Sequence, residues 1–373
     1  MESLKNQIYG DWPLHYDPLL TGMEQQKDSR FDFESGVKVL SNRDILFWYY
    51  APKAETVYVK IWDQEVTLEK KGNGMFDGIL PFREHFEGPH SFDFFVDGAC
   101  VLSPYAPISW HRNRPVNYVD IPDPETEYIF IRNVPHGAIT REIFWSETMD
   151  RWERCLVYTP PGYMNGTEYY PVLYLQHGAT ENEVTWEFNG RVSSIMDNLI
   201  AEEKAKPCII VMNNGMLSRT GKLGEAFADL LLKDCIPFIE KTFRVRTDKW
   251  SRAMAGLSMG SVQTSQIGLM HPELFGYLGL FSGFLRWLMP DVTEHPQLRA
   301  LDDPGQFEKN YKVFFRSIGD CDSYFEGFAE DDVICREKGI EGCSNLYRKV
   351  YEGQRHEFGA WRRALYDFMQ LIF

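Results

Sequence analysis

Short, wholly apolar runs separated by helical stretches constrain this chain most. "PVLYLQHG", "PCIIVMNNG", "AMAGLS", "YLGLFSG" and "KVFFRSIGD" follow one another through residues 171–320. None alternates polar with apolar residues, so each reads as a strand covered on both faces. The stretches beside them carry helical spacing. "RVSSIMDNLIAEE" puts Ile195, Leu199 and Ile200 on one side, "EAFADLLLKDCIPFIEKTF" is long and amphipathic, and "FGAWRRALYDFMQLIF" closes the chain. Strands that alternate with helices in this way build a mostly parallel sheet with helices on both faces, an α/β fold. Ahead of them, "REIFWSETMDRWERCLVYTPPGY" reads as two strands around a turn.

Residues 36–118 have a different texture. "DILFWYYAP", "TVYVKIWDQ" and "HSFDFFVDGACVL" are rich in β-branched and aromatic residues, and the last is broken by an Asp97-Gly98 turn. Short strands at this spacing suggest a small β-sandwich. Pro122 and Pro124, set among acidic residues, read as the linker. The expected organisation is therefore a β-sandwich over residues 1–122 and an α/β domain over 123–373. A length of 373 residues suits two hydrophobic cores better than one.

A formal charge of −15 argues against nucleic acid or an anionic membrane surface as partner, since both need basic surface. No uninterrupted apolar run is long enough to cross a bilayer. The first residues, "MESLKNQIYGDWPLHYDPLL", lack the basic and apolar regions of a secretory signal, so a cytoplasmic location is expected. The seven cysteines are scattered and form no CxxC pair, which leaves no zinc motif and no disulfide framework to expect.

Chemistry concentrates at "RAMAGLSMGSVQTSQIGLM". Gly256-x-Ser258-x-Gly260 lies between a strand and a helix, the pattern of a nucleophile elbow. A serine becomes a nucleophile at neutral pH only when a histidine takes its proton and a carboxylate holds that histidine. Three histidines follow Ser258. His271 ends the elbow helix and His295 lies in a polar loop. His356, in "YEGQRHEFGAWRRAL", follows a strand-like run and precedes the last helix, where the base of an α/β-hydrolase stands. The acid belongs after a late strand, and "KVFFRSIGDCDSYF" offers Asp320 and Asp322, between which spacing does not choose. Two backbone N–H groups must face the developing oxyanion. Met259 supplies one, and Ala179 or Thr180 the other. His177 is expected to shape that loop by hydrogen bonding rather than to act as base.

Taken together, "YTPPGY", "PVLYLQHG", "DNLIAEEKAKPCIIVMNNG", "RAMAGLSMG" and "RHEFGAWRRALYDF" resemble the esterase-D-type carbohydrate esterases over residues 130–373. That group includes feruloyl and acetylxylan esterases, with enterochelin esterases and mycobacterial mycolyltransferases more distant. Residues 36–118, with "FFVDGACVLSPYAP" as the clearest piece, resemble the early-set immunoglobulin-like module, related to glycogen-binding modules, that often precedes such domains. The resemblance implies an α/β-hydrolase fold, a nucleophile at Ser258, a base at His356 and oxyanion donors at Ala179 and Met259. Its Gly-x-x-Asp pattern selects Asp322. Trp186 matches a tryptophan that helps line the family's site, and Thr180 and Trp287 complete the expected substrate-binding set. Met216, Phe284 and Met289 are further candidates. Ser261 departs from the glycine often found there.

The implied activity is hydrolysis of hydroxycinnamoyl esters of plant-derived carbohydrates through an acyl-enzyme, with no cofactor and no metal. Acetylxylan and siderophore esters are the alternatives within enzymes. From a different class, an inactive hydrolase fold could serve carbohydrate binding, with Trp48, Trp62 and Trp110 as stacking platforms. The expected partner is a small-molecule or oligosaccharide ester; whether the chain is a homo-oligomer is left open.

Overall fold

The computed structural model describes residues 36–373 apart from 73, 104–105, 112–113, 221–223 and 289–291, so Met289 lies outside the described residues. The chain divides into two units between Ile131 and Arg132.

Side chains of the first unit alternate between a shared core and solvent, as in β3 (Val57–Ile61), where Val57, Val59 and Ile61 are buried. Its strands are β1 (Gly36–Val39), β2 (Ile45–Tyr50), β3, β4 (Gln64–Lys70), β5 (Met75–Leu80), β6 (Gly88–Val96), β7 (Ala99–Val101), β8 (Ile108–His111) and β9 (Arg114–Ile121). All pair antiparallel, in the order β1-β2-β5-β4-β3-β6-β9-β8, with β7 on β6. β4 pairs with β5 only at Glu69 and Lys70. Phe47 of β2 nevertheless packs against Phe92 of β6 at 5.1 Å, so the sheet folds back on itself around one core. Asp97 and Gly98 make the tight turn between β6 and β7 with φ of 46° and 81°, the left-handed pair that a two-residue hairpin requires. Of the three tryptophans, Trp62 packs on Phe86 and bonds His90, Trp48 is half-buried, and Trp110 is exposed.

The segment read as a linker is helical instead. Asp123 accepts from the Glu125 N–H and Pro124 opens a short 3-10 turn to Ile129. Pro at the first helical position and Asp at the cap favour that start. Ile129 and Phe130 are then buried, so this segment joins the first unit rather than floating between two.

The second unit is an eight-stranded sheet in the order β10-β11-β13-β12-β14-β15-β16-β17. These are Ala138–Ser146, Arg151–Thr159, Val172–Gln176 (β12), Ile209–Asn213 (β13), Arg252–Leu257 (β14), Tyr277–Phe281 (β15), Val313–Gly319 (β16) and Leu346–Tyr351 (β17), the first two being β10 and β11. β10, β11 and β13 pair antiparallel, and β12 to β17 are parallel. β12, β13, β14, β15 and β16 are buried at every residue, which is why their sequences do not alternate. Helices Val192–Ala201, Met259–Met270, Phe325–Glu337 and Phe358–Met369 cover the sheet. The helix expected over residues 225–243 contains a π turn at Leu230–Cys235. The wider turn accommodates Pro237, whose ring would otherwise crowd the preceding turn. Because β12 lies between β13 and β14, the strand order reverses there, the place where open α/β sheets bind their ligands.

Candidate active site

Ser258 follows β14 at that reversal. Its φ of 50° and ψ of −115° lie outside the regions ordinary residues occupy, and they turn the chain sharply into helix Met259–Met270. The flanking glycines make the turn possible. A Cβ on Gly256 would lie 2.5 Å from the Gly260 carbonyl group, and one on Gly260 2.7 Å from the His177 carbonyl oxygen. Ser261, where a glycine was expected, strengthens the elbow. Its hydroxyl donates to the Ser258 carbonyl at 2.6 Å and accepts the Phe284 N–H at 3.2 Å.

His356 and Asp322 come from the ends of β17 and β16. The His356 Nε2 lies 2.9 Å from Ser258 Oγ, and Nδ1 lies 2.8 and 3.0 Å from the two Asp322 oxygens. With Nδ1–H donating to the carboxylate, Nε2 is left to accept the serine proton. Asp322 is buried and, besides His356, takes two further donors, one of them itself held by a third group. Ser282 Oγ donates to Oδ2 at 2.8 Å, the Tyr324 N–H donates to Oδ1 at 2.9 Å, and Trp361 Nε1 donates to Ser282 Oγ at 2.8 Å. Asp320 instead accepts the Gly353 N–H at 2.7 Å and does not reach the histidine. His271 pairs with Glu273 on the surface, and burial beside Arg286 lowers the His295 pKa.

The loop after β12 is set from below by His177. The Gly215 N–H donates to its Nε2 at 2.9 Å, so Nδ1 carries the proton and donates to the Gly178 carbonyl at 2.7 Å. Burial holds this imidazole neutral, with a pKa of about 4. In a trans peptide the C=O and the following N–H point opposite ways. Fixing the Gly178 carbonyl toward His177 therefore turns the Ala179 N–H outward. That N–H has no acceptor among the described residues, and Met259, as first residue of its helix, has no intrahelical one. Thr180 is excluded, because its N–H already points at Met216 Sδ, 3.3 Å away. Glu181 Oε2 accepts the Gly178 N–H at 2.9 Å, and burial raises that carboxyl to about 7.

Other expected lining residues are placed differently. Trp186 is only 1% exposed. Its Nε1 donates to the Gln176 carbonyl at 2.8 Å and its ring packs on Phe281 and Phe358. It supports the end of β12 and offers no open face to a substrate. Phe284 is likewise buried, with Trp287 half-buried against the same cluster. Thr180, at φ 67°, is half-buried at the loop tip. Sequence reasoning missed Ser282, Tyr324, Trp361 as a donor, and Glu181. A serine-glycine pair directly after β15 was the one signal for Ser282.

No cluster of three or more His, Cys, Asp or Glu residues among the described ones could hold a metal ion, and no helix there is long and apolar enough to cross a membrane. All seven cysteines are free. A hydrogen-bonded serine–histidine–aspartate series at the strand ends of a mostly parallel sheet of this order is the arrangement of an α/β-hydrolase fold. Residues 146–316 match the family profile described as "Putative esterase".

Among characterised proteins, the chain is 35% identical over 342 residues to an "Endo-1,4-beta-xylanase/feruloyl esterase" from Xylanibacter ruminicola, covering 87% of this chain and 44% of the relative. It is 24% identical to "Endo-1,4-beta-xylanase Y" of Acetivibrio thermocellus, covering 58% of this chain and 21% of the relative. The chain thus spans less than half the length of these curated relatives. A ferulic acid esterase from Anaeromyces mucronatus, solved with ferulic acid, superposes with a TM-score of 0.58 at 22% identity, covering 66% of this chain and 95% of that one. The enterobactin esterase of Shigella flexneri gives 0.65 at 14% identity, covering 93% and 98%. At these identities the two structures speak to fold.

Proposed function

We propose that this chain is a serine carboxylic-ester hydrolase that cleaves hydroxycinnamoyl, chiefly feruloyl, esters of plant carbohydrates. The observation that carries the reading is the hydrogen-bonded series from Ser258 Oγ through His356 to Asp322, at 2.9 and 2.8 Å. Ser258 attacks the ester carbonyl while His356 takes its proton. The Ala179 and Met259 N–H groups receive the oxyanion, and Asp322 stabilises the imidazolium. Collapse expels the alcohol, protonated by His356, and water repeats the sequence on the acyl-enzyme. The acyl choice rests on the 35% identical relative named a feruloyl esterase. A siderophore ester is the second reading, favoured by the coverage of 93% of this chain in the likeness to the enterobactin esterase. The first unit fits an accessory module of the early-set immunoglobulin-like kind.

A single panel under common conditions tests the substrate: methyl ferulate, methyl p-coumarate, acetylated xylo-oligosaccharide, p-nitrophenyl acetate and enterobactin. The highest kcat/KM is expected for the first two. Preference for enterobactin or acetylated xylan fragments would overturn the feruloyl assignment and leave the serine mechanism standing.

A further inference from the structure

Tyr324 stands beside the reacting groups without a part in the chemistry above. It is 47% exposed, yet its ring is held in place. The backbone N–H is tied to Asp322. The ring centroid lies 4.8 Å from that of His356, with planes at 57°, and 5.8 Å from that of Phe284. Phe284 belongs to a buried cluster with Val262, Ile318 and Phe328. An aromatic ring braced by a buried cluster and by the imidazole presents a fixed face to solvent.

The position of that face decides what it meets. His356 must hand its proton to the leaving oxygen, so the alcohol part of the ester has to lie within hydrogen-bond distance of Nε2. The carbonyl oxygen faces the Ala179 and Met259 amides instead. The leaving alcohol and the Tyr324 ring are thus both neighbours of the same imidazole. A tyrosine combines a broad apolar face with a polar tip. The apolar C–H face of a sugar ring complements such a surface, and sugar hydroxyls can reach the phenol or water.

We propose that Tyr324 forms the leaving-group subsite and that the group it takes is a sugar ring. This rests on the ester-hydrolase reading and adds the residue that selects the alcohol. The test uses two substrate pairs, each sharing one acyl group: methyl ferulate with feruloyl arabinose, and methyl acetate with acetyl xylose. In Y324A and Y324L, the kcat/KM for the sugar ester divided by that for its methyl ester should fall about three- to tenfold, the scale of one aromatic contact. The fall should lie mainly in KM, and Y324F and Y324W should restore the ratio. Leu at 324 keeps the measurement available where Ala impairs folding. An unchanged ratio in both pairs overturns the proposal, because Tyr324 would then act only through His356. A loss that follows the feruloyl group whatever the alcohol also overturns it, placing the acyl ring on Tyr324. If wild type cleaves neither ferulate, the acyl assignment fails and the acetyl pair alone decides the subsite.

Discussion

Replacing His177 by phenylalanine separates the shape of the oxyanion loop from its hydrogen bonds. The imidazole is buried and makes two of them, from the Gly215 N–H and to the Gly178 carbonyl. Phenylalanine fills similar space and leaves both backbone groups without partners. Each orphaned group costs about 1–3 kcal/mol, so the variant should lose about 2–6 kcal/mol of stability at neutral pH. Native domains hold about 5–15 kcal/mol, so a folded population is expected. The Gly178–Ala179 peptide is then free to rotate, and the Ala179 N–H no longer has a fixed direction. Complete loss of one oxyanion donor costs about 100- to 1000-fold in kcat. A loosened donor should cost from about tenfold up to that range, with little change in KM, because the amide acts on the transition state. Steady-state hydrolysis of a methyl ester, paired with urea unfolding of the same preparation, reads both effects. A folded H177F enzyme with wild-type kcat would refute the argument that this imidazole aims the Ala179 amide.

Asp322→Asn should lower kcat by about four orders of magnitude by stabilising the wrong histidine tautomer, whereas Asp320→Asn, remote from His356, should cost less than about threefold; comparable losses would reassign the acid. Glu181 has a raised folded pKa, so it holds more protons folded than unfolded between pH 4.5 and about 7, and its contribution to stability falls as pH rises through that window. His177, lowered from 6.5 to about 4, does the reverse, its contribution rising with pH from about 4 to 6.5. The two slopes oppose each other, so Glu181→Gln should expose a climb in urea midpoint from pH 4.5 to 6.5 that wild type shows more weakly; a fall in the variant would contradict the His177 assignment, and a slope equal to that of wild type the Glu181 one. A chain starting at Arg132 should still hydrolyse p-nitrophenyl acetate; if it folds, by circular dichroism, but cleaves no ester, the first unit contributes to the site.

What could be read from the chain depended on how local the signal was. The elbow was legible because Gly256 answers a steric demand from Gly260 within the same five residues, although Gly260 answers one from the distant His177 carbonyl, and the parallel strands because burial on both faces removes alternation from short runs. Asp320 and Asp322 were indistinguishable by spacing, since the choice is made by the Gly353 loop and by Ser282, both distant in sequence. Trp186 was misplaced because a tryptophan that braces a strand end looks the same in sequence as one that lines a pocket. Tyr324 carried no local mark at all; it matters only because β16 and β17 end side by side. The linker reading failed for a comparable reason, as Pro122 and Pro124 signal a break in the strand but also the start of a helical turn.

The central claim is that Ser258 forms the covalent acyl-enzyme. Wild-type protein mixed with p-nitrophenyl acetate, quenched in acid and digested, can be read by mass spectrometry. The account predicts an acetyl group on Ser258, and its loss in Ser258→Ala together with several orders of magnitude in kcat. A Ser258→Ala protein that turns over ester near the wild-type rate, or an acyl group carried on another residue, would contradict it.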